Sequence, residues 1–415
     1  MNRVLLAIYL IFVYILFSCD TKSEREDVGV PFEKISSEYT GINFKNTISP
    51  NLESSENLFD YDYFYNGSGV GIADINNDGL KDIIFTANQE KNRLYLNKGN
   101  LRFEDITNLS SINSENKRWS SGVTFADVNN DGWIDMYISQ GGPFESSNRK
   151  NLLFINNQDL TFSEKAKEYG LDDKGISTQS AFFDFDNDGD LDCIVMNENE
   201  FFGYDPVSFF EKYNDKSVLM ANSSHLYEQI DGKFINITEK AGLLSPTFGL
   251  GLCISDINND NWPDIYIAND YYVKDAMYIN NQDGTFTNQI QESTKQISFY
   301  GMGVDIEDIN NDNLSDIFVL DMASSDHIRS KTLMASMNTS NFDLITNKLD
   351  QHYQYMFNSL QLNLGNNKYH NISHQLNIAK TDWSWAGLIF DYNLDGNEDI
   401  FVTNGYRKYG SDNDS

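Results

Sequence analysis

The feature that most constrains this chain is the segment 74–82, which recurs five more times with its oxygen-bearing positions intact. In each copy, carboxylate or amide side chains occupy positions 1, 3, 5 and 9, and Gly or Asn occupies position 6. Gly and Asn adopt positive φ most readily, so the chain can curl there. A hard cation such as Ca²⁺ takes roughly six to eight oxygen ligands, which a curled loop supplies from alternate side chains and one backbone carbonyl. The repeat therefore predicts six calcium-binding loops.

The expected ligands in each loop are the side chains at positions 1, 3, 5 and 9 and the backbone carbonyl at position 7. Copy by copy, they are Asp74, Asn76, Asp78, Leu80 and Asp82; Asp127, Asn129, Asp131, Trp133 and Asp135; Asp184, Asp186, Asp188, Asp190 and Asp192; Asp256, Asn258, Asp260, Trp262 and Asp264; Asp308, Asn310, Asp312, Leu314 and Asp316; and Asp391, Asn393, Asp395, Asn397 and Asp399.

Two other structures share part of this pattern. An EF-hand has ligands at positions 1, 3 and 5, but it needs a Glu at position 12 and a helix on each side. Position 12 is apolar in all six copies and stands in runs such as DIIFTAN and DIYIAND, which are typical of buried strands. Clusters of Asp, Asn and Gly can also simply mark hairpin turns. Six copies that all retain the ninth-position Asp favour metal loops that join strand to strand.

The segments after each loop repeat one pattern of three strands, as in 82–88, 92–97 and 101–107. Successive loops start 53, 57, 72, 52 and 83 residues apart, and the short spacings fit one four-stranded propeller blade. The long spacings carry insertions at 198–222 and 322–358, the second with helical periodicity. The sequence therefore predicts an all-β β-propeller of four-stranded blades, with helical insertions and six repeat units. Because the last unit is incomplete, the propeller is either six-bladed or an open seven-bladed one.

Two local features add to this expectation. A small residue precedes the first Asp by five positions in most copies, which suits an inner strand crowded near a central axis. Ahead of the first loop, residues 38–48 are predicted to form a lone strand, followed by an aromatic run at 59–65. The residues five positions before each loop are Gly69, Gly122, Gln179, Gly251, Gly303 and Ala386.

The N-terminus is typical of an export signal. Arg3 precedes an apolar run from Val4 to Phe17, which suits the core of a signal peptide better than a membrane span. Residues 16–19 then resemble a bacterial lipobox, with Cys19 as the acylated residue; an uncleaved anchor or an ordinary signal peptide is the alternative. We expect a lipoprotein signal at 1–19, a tether at 20–37, the propeller at 38–407 and a tail at 408–415. The expected location is the bacterial cell envelope, as a lipid-anchored outer-membrane or cell-surface protein.

Charge and cysteines narrow the range of partners. The formal net charge of −32 argues against nucleic acid, because phosphate contacts need a basic surface. Six divalent ions would reduce this charge to about −20, and a solvated acidic surface accounts for the rest.

Apart from Cys19, the cysteines are Cys193 and Cys253, both in predicted strands. Buried free thiols are expected there, although a disulfide between them stays open.

The repeats resemble FG-GAP/VCBS repeats, as in the calcium-binding blades of integrin α-subunit propellers. Stretches such as YNGSGVGIADINNDGLKD, NRLYLNKGN and TDWSWAGLIFDYNLDGNED are similar to bacterial members of the cartilage-acidic-protein group, which contain an ASPIC/UnbV domain. The resemblance spans about residues 38–407. It implies a calcium-stabilised propeller, and it implies a truncated or split member, because this sequence stops at Ser415 where such proteins usually continue.

The binding surface is expected on the face opposite the calcium loops. Because each loop joins the first and second strands, both insertions and the segments before the first strands must emerge on the other face. Aromatic side chains there suit stacking on sugar rings or on partner proteins, or they cap the core. The candidate ligand-binding residues are Tyr65, Trp119, Tyr300, Trp383 and Trp385.

The expected function is therefore a calcium-stabilised binding module for a glycan or protein partner, attached to the membrane only through a lipid anchor, with up to six structural Ca²⁺ ions. The alternative is a propeller enzyme, a lyase or hydrolase acting on polysaccharide. No catalytic residues are assigned, since the five histidines form no recognisable constellation and no nucleophile elbow or phosphate loop occurs. A third class, a purely structural subunit of an outer-membrane assembly, would show neither binding nor catalysis.

Overall fold

Each acidic loop connects the first two strands of an antiparallel sheet in the computed structural model of the chain. The structure describes residues 32–113, 119–332 and 339–405, without the side chains of 332, 339 and 340. Two units divide the chain: Met1–Ile35, of which only residues 32–35 are described and have no regular secondary structure, and Ser36–Ser415, which contains every element below. The predicted signal peptide, Cys19 and the 408–415 tail lie outside the described residues.

Five four-stranded sheets and one two-stranded sheet follow one another along the chain, and each is ordered as its strands occur in the sequence. Sheet 1 contains β1 Val70–Ala73, β2 Asp82–Phe85, β3 Arg93–Asn97 and β4 Phe103–Asp105, and sheet 2 contains β5 Ser120–Ala126, β6 Asp135–Gln140, β7 Leu152–Asn156 and β8 Phe162–Glu164. Sheet 3 contains β9 Ser177–Phe183, β10 Asp192–Asn197, β11 His225–Ile230 and β12 Lys233–Asn236. Sheet 4 contains β13 Gly249–Ser255, β14 Asp264–Asn269, β15 Ala276–Asn280 and β16 Phe286–Asn288. A short parallel pair, β17 Ile297–Ser298 and β20 Gln354–Tyr355, flanks sheet 5, which contains β18 Val304–Glu307, β19 Asp316–Val319, β21 Ser359–Asn363 and β22 Tyr369–Asn371; sheet 6 contains β23 Ser384–Phe390 and β24 Asp399–Asn404. The prediction of an all-β propeller of four-stranded blades with an incomplete last unit is confirmed.

The first strands of the six sheets lie side by side in sequence order, β1 beside β5, β5 beside β9, and so on to β23. The small residues before the loops explain how closely these strands approach. A Cβ at Gly122 would lie 2.5 Å from the carbonyl oxygen of Thr178 in the next sheet, and one at Gly303 would lie 2.4 Å from that of Trp385. The expected inner, axis-lining role of these strands is confirmed.

The core consists of apolar layers between successive sheets. Between sheets 1 and 2, Ile84 and Leu94 face Met136 and Ile138, and all four side chains are fully buried. Sheets 3 and 4, and sheets 5 and 6, are joined by equivalent clusters. Clusters between sheets 2 and 3 and between sheets 4 and 5 complete the series, so each of sheets 2 to 5 contributes one apolar face to the sheet before it and another to the sheet after it.

The sheets do not form a closed ring. On the face of sheet 1 that has no preceding sheet, Val70 and Ile72 are 57% and 61% exposed. On sheet 6, Phe401 stands two positions after the ninth Asp of its loop and is 47% exposed. The equivalent residue is fully buried in each of the other five sheets. The uncovered faces are those that neighbouring sheets cover elsewhere in the fold.

Residues 38–48 do not form the predicted strand. They begin with helix α1 Ser37–Thr40 and continue without regular structure across the open face of sheet 1. Phe44 stacks on Phe85 with ring centroids 4.9 Å apart, and the backbone N–H of Asn43 donates to the Tyr95 hydroxyl. This segment caps the sheet face with side chains, because its backbone groups find side-chain partners rather than a strand edge.

The helices are short and lie mostly in the two insertions, as predicted. None of the helices among the described residues has the length and apolar character needed to cross a bilayer. The remaining helices are α2 Thr107–Ser110, a 3₁₀ turn Ser146–Asn148, α3 Ala166–Tyr169, α4 Pro206–Lys212, α5 Lys216–Ala221, α6 Ile290–Ser293, α7 Arg329–Thr332, α8 Thr339–Asp343 and a π-helical turn Leu344–Lys348.

Candidate functional site

All six acidic loops have the same backbone conformation, fixed by their own side chains. In the first loop, Asp74 accepts hydrogen bonds from the backbone N–H groups of Asp78 (3.1 Å) and Gly79 (2.8 Å), and Asp78 accepts from Leu80 N–H (2.8 Å). The same three bonds occur in the other five loops. The side chain at position 1 thus curls the loop so that positions 1, 3 and 5 share one mouth.

Two positions of each loop have positive φ, although the sequence pattern predicted only one. Position 6 has φ between 64° and 97°, as expected for Gly or Asn. Position 4 also has φ between 57° and 61° in every loop. Five of these position-4 residues are Asn, which was the signal in the sequence; the sixth is Leu394.

The Asn side chains at position 4 link neighbouring loops. Asn77 Nδ2 donates to the carbonyl oxygen of Gly132 in the second loop (3.0 Å), and Asn259 Nδ2 donates to that of Asn313 in the fifth (2.7 Å). Asn311 makes the equivalent bond to the sixth loop. These bonds place the first two loops side by side, and likewise the last three.

In the first five loops, the ninth-position Asp anchors the loop to the sheet. Asp264 is fully buried; one carboxylate oxygen accepts from Ile257 N–H (2.9 Å) and the other from Asn280 N–H (2.7 Å), which joins the loop to the third strand. Burial raises the pKa of Asp264 to about 7, and that of Asp135 to about 6, with smaller contributions from the other carboxylates of the same loop. A nearby divalent cation would offset the cost of holding these groups ionised.

The residues of the loops fit a hard cation. Every donor at positions 1, 3, 5 and 9 is an oxygen-bearing side chain. In the third loop, carboxylate oxygens of Asp184, Asp186 and Asp188 lie within 4.8 Å of one another. In the sixth loop, Oδ2 of Asp399 is buried and has no hydrogen-bond partner among the described residues. A cation at the mouth of the loop would satisfy such an oxygen.

At the opposite end of the first strands, the aromatic run 59–65 lies across the axis. The Tyr61 hydroxyl donates to the Glu198 carboxylate (2.9 Å), and the Tyr63 hydroxyl donates to Asp270 (2.8 Å). Phe64 is fully buried against Trp119. The run therefore bridges sheets 2, 3 and 4 at the face away from the loops.

An axial cavity of about 350 Å³ lies beside this run. It is bounded by the starts of the inner strands of all six sheets, including Gly69, Gly122, Gln179 and Ala386. The side chains of Tyr61, Tyr63, Trp119, Glu198 and Trp385 also line it.

The five candidate ligand-binding residues fall into different environments. Trp119 (3% exposed) and half-buried Trp385 line the axial cavity, whereas Trp383 (8% exposed) packs in the core between sheets 5 and 6. Half-buried Tyr300 contacts Tyr271 in the aromatic cluster that joins the two insertions, and Tyr65 is 45% exposed.

Sequence reasoning missed the buried acids around this end of the axis. Glu198 and Asp270 each follow the second strand of their sheet at the same position, where sheets 1, 2 and 6 have Asn88, Gly141 and Gly405. An acid directly after an apolar strand was the available signal. Burial, followed by the charge of neighbouring acids, raises the pKa of Glu198 to about 8 and that of Asp270 to about 7, although the tyrosine hydroxyls act in the opposite direction.

The remaining titratable groups of interest have structural partners. Cys193 and Cys253 are both free thiols, so the open possibility of a disulfide between them is not realised. His225 is buried and binds Asp173 through Nδ1 (2.5 Å) and the carbonyl oxygen of Met220 through Nε2 (2.8 Å), which ties the first insertion to sheet 3.

Comparison with known proteins supports the repeat assignment. Residues 63–138 and 256–319 match the FG-GAP-like repeat. The chain is similar to cartilage acidic protein 1 from Mus musculus (30% identity over 136 residues, 32% of this chain and 21% of the relative) and from Xenopus tropicalis (32% over 144 residues, 33% and 21%). The chain thus spans only about a fifth of the length of these curated relatives.

Two solved structures are also similar in part. A lectin from Agrocybe aegerita, described as recognising non-reducing terminal N-acetylglucosamine, matches with a TM-score of 0.43 and 15% identity, covering 80% of this chain and 73% of the lectin. The V. cholerae biofilm matrix protein Bap1 matches with a TM-score of 0.34 and 14% identity, covering 62% and 35%.

Proposed function

We propose that this chain is an exported, calcium-stabilised binding module that recognises a glycan or protein partner through the face opposite the acidic loops. The observation that carries the proposal is the convergence at that face. The aromatic run, the inner strands of six sheets and the two insertions all meet there, on a scaffold that the loops hold from the other side. Binding sites are usually built from such connections on a rigid scaffold.

Calcium has a structural role in this proposal. The side chains at positions 1, 3, 5 and 9 of each loop and the carbonyl at position 7 would hold up to six ions. A bound ion supplies positive charge and cross-links to a loop that otherwise crowds several carboxylates. The oxygen-only donor set and the unpartnered buried Asp399 oxygen support this role.

The location follows from sequence features that lie outside the described residues. The apolar run before Cys19 and the lipobox-like residues 16–19 support a lipid-anchored lipoprotein of the bacterial cell envelope. Calcium is plentiful outside cells, where even weak loops fill. We also propose that the chain is a bacterial relative of the cartilage-acidic-protein group.

The experiment that tests the proposal is a glycan array probed with protein from Cys19 onward, with and without calcium, together with a pull-down from the cell envelope. Tyr65→Ala, on the proposed face, should weaken binding to any ligand found. Tyr39→Ala is the matched control, because Tyr39 is 43% exposed on the outer part of sheet 1 and Tyr65 is 45% exposed. No ligand from either source, or equal losses in the two variants, would contradict the proposal.

A polysaccharide-degrading enzyme is the second candidate, because Glu198 combines a raised pKa with a position at the axial cavity, as general acids do. Glycosidases pair such an acid with a second carboxylate, and Glu198 is the sole acid among the described residues that line the cavity. Incubation with polyanionic polysaccharides separates the two functions, since an enzyme shortens them and a binding module only retains them.

A further inference from the structure

The axial cavity has an unusual chemical lining. Among the described residues that border it, Glu198 is the one ionisable acid, and Lys, Arg and His are absent. Trp119, Trp385, Tyr61 and Tyr63 supply four aromatic rings. The cavity therefore combines a carboxyl group with aromatic surface and has no built-in positive charge.

The hydroxyl groups around the cavity already donate hydrogen bonds to acceptors within the protein. The Tyr61 hydroxyl donates to Glu198, Ser121 Oγ donates to the carbonyl oxygen of Ser177 (2.6 Å), and Thr178 Oγ1 donates to that of Gly249 (3.0 Å). These oxygens can act toward a ligand only as acceptors. A ligand that supplies hydrogen-bond donors fits this lining better than an anion does.

The surroundings of Glu198 also favour a cation. Glu198 is 4% exposed and is influenced by the charge of Asp270, which is equally buried. The guanidinium of Arg149, whose charge acts on Glu198, makes an ion pair with Glu200 (2.6 Å). Buried carboxylates normally have a cationic partner or extensive hydrogen bonding. Aromatic rings next to such a group attract organic cations through their electron-rich faces.

We propose that the axial cavity binds a primary alkylammonium group, with Glu198 as its counter-ion and the aromatic rings around its apolar stem. This site goes beyond the proposed function, because it adds a cation-binding cavity to the face proposed to recognise a glycan or protein partner. The ammonium group can belong to a free amine or to a lysine side chain of a partner. Three N–H donors match the acceptors of the lining, and a volume of about 350 Å³ accommodates the stem.

Binding should depend on pH. Burial raises the pKa of Glu198 to about 8. The hydrogen bond from Tyr61 and the charge of Arg149 lower this pKa, and the charge of Asp270 raises it. The Tyr63 hydroxyl also faces this group. At pH 6 the free protein has a neutral Glu198, which must lose a proton when the ammonium binds. Because alkylamines stay protonated up to a pH of about 10, affinity should rise by roughly one to two orders of magnitude between pH 6 and pH 9.

The test is calorimetric titration of the protein with n-butylammonium chloride, with the fluorescence of Trp119 and Trp385 as a second signal. Butanol is the neutral control of the same shape, and tetramethylammonium is the charged control without N–H donors. Nα-acetyl-lysinamide represents a lysine side chain, so its affinity relative to butylammonium distinguishes the two sources. Of butylammonium, butanol and tetramethylammonium, we expect only butylammonium to show saturable binding. No saturable binding, or equal binding of butanol, would overturn the proposal.

Variants assign the site. Glu198→Gln keeps a partner for the Tyr61 hydroxyl but removes the charge, and should weaken butylammonium binding at least about tenfold at pH 9. Asp275→Asn is the matched control, because Asp275 is a buried carboxyl that accepts from Tyr266 but does not line the cavity. Unchanged affinity in Glu198→Gln, or an equal loss in the control, would overturn the assignment.

A third substitution decides the question if Glu198→Gln fails to fold. Gln179 is exposed and lines the cavity, so Gln179→Lys places a competing ammonium group there without disturbing the core. It should abolish binding, and Gln179→Met should retain it. Retained binding in Gln179→Lys would contradict an axial site.

Discussion

At the scale of single residues, the ninth-position aspartates of the first five loops join these loops to the sheets. We expect Asp264→Ala to lower the free energy of unfolding by about 2–6 kcal/mol, because the N–H groups of Ile257 and Asn280 lose their acceptors in the core. Partner binding by the folded fraction should be unchanged. Asp283→Ala, at an exposed hairpin, should cost less than about 1 kcal/mol. Equal effects of the two substitutions in urea unfolding would contradict this role.

Four buried acids predict a pH dependence of stability. Burial raises the pKa of Asp270, Asp275 and Asp321 to about 7 and that of Glu198 to about 8. In the unfolded chain such groups have pKa values of about 4, so the native state holds more protons between these limits. Stability is therefore full below about pH 4 for these groups and is lost as pH rises through 7 and 8.

With calcium kept constant, the Tm of the unaltered protein should fall between pH 6 and pH 8.5. The Tm of the Glu198→Gln variant should fall less over the same range. Asp283→Asn should keep the original slope, because this carboxyl is exposed. A Tm that rises over this range, or a slope unaffected by Glu198→Gln, would be incompatible with a buried acid of raised pKa.

One loop position is suboptimal. Leu394 has φ of 60° and is 89% exposed, whereas the five equivalent residues are Asn. Leu394→Asn should raise the free energy of unfolding by about 1 kcal/mol, because Asn tolerates this conformation better than Leu. Leu364→Asn, at an exposed residue outside the positive-φ region, should give no gain. Thermal unfolding of both variants provides the measurement, and the absence of a difference would contradict the strain argument.

At the scale of elements, the close packing of the inner strands depends on glycine. Gly122→Ala should lower the free energy of unfolding by about 1–3 kcal/mol, because the added Cβ would lie 2.5 Å from a backbone oxygen of sheet 3. Gly405→Ala is the control, since its nearest neighbour, 3.3 Å away, is the side chain of Trp385. If Gly122→Ala were as stable as the control in denaturant unfolding, the inner strands would have to be further apart.

The strands themselves were predictable because each has a local cause. Alternating apolar residues and the recurrent loop specified the three strands that follow the loop in sheet 1 to within a few residues. The segment 38–48 has a similar alternation but caps a sheet face instead. The local pattern does not tell whether an apolar side chain is covered by a neighbouring strand or, like half-buried Phe44, stacks on a ring of the sheet face.

At the scale of the whole molecule, the loop face was predictable and the axial site was not. Strand connectivity places all six loops on one face, because each joins the first two strands of its sheet and the first strands lie side by side. The contacts that define the axial cavity join residues far apart in sequence, 137 residues for Tyr61 and Glu198 and 207 for Tyr63 and Asp270. No periodicity encodes such pairs, since they depend on how the sheets are arranged around the axis.

The central claim is that the acidic loops hold calcium and thereby stabilise the sheets. It is tested most directly by thermal unfolding of chelator-stripped protein as Ca²⁺ is added back. We predict a large fall in Tm on stripping, full recovery with Ca²⁺ and poor recovery with Mg²⁺, which resists dehydration and prefers a smaller octahedral site. A melting curve that is the same with chelator and with Ca²⁺ would contradict the claim.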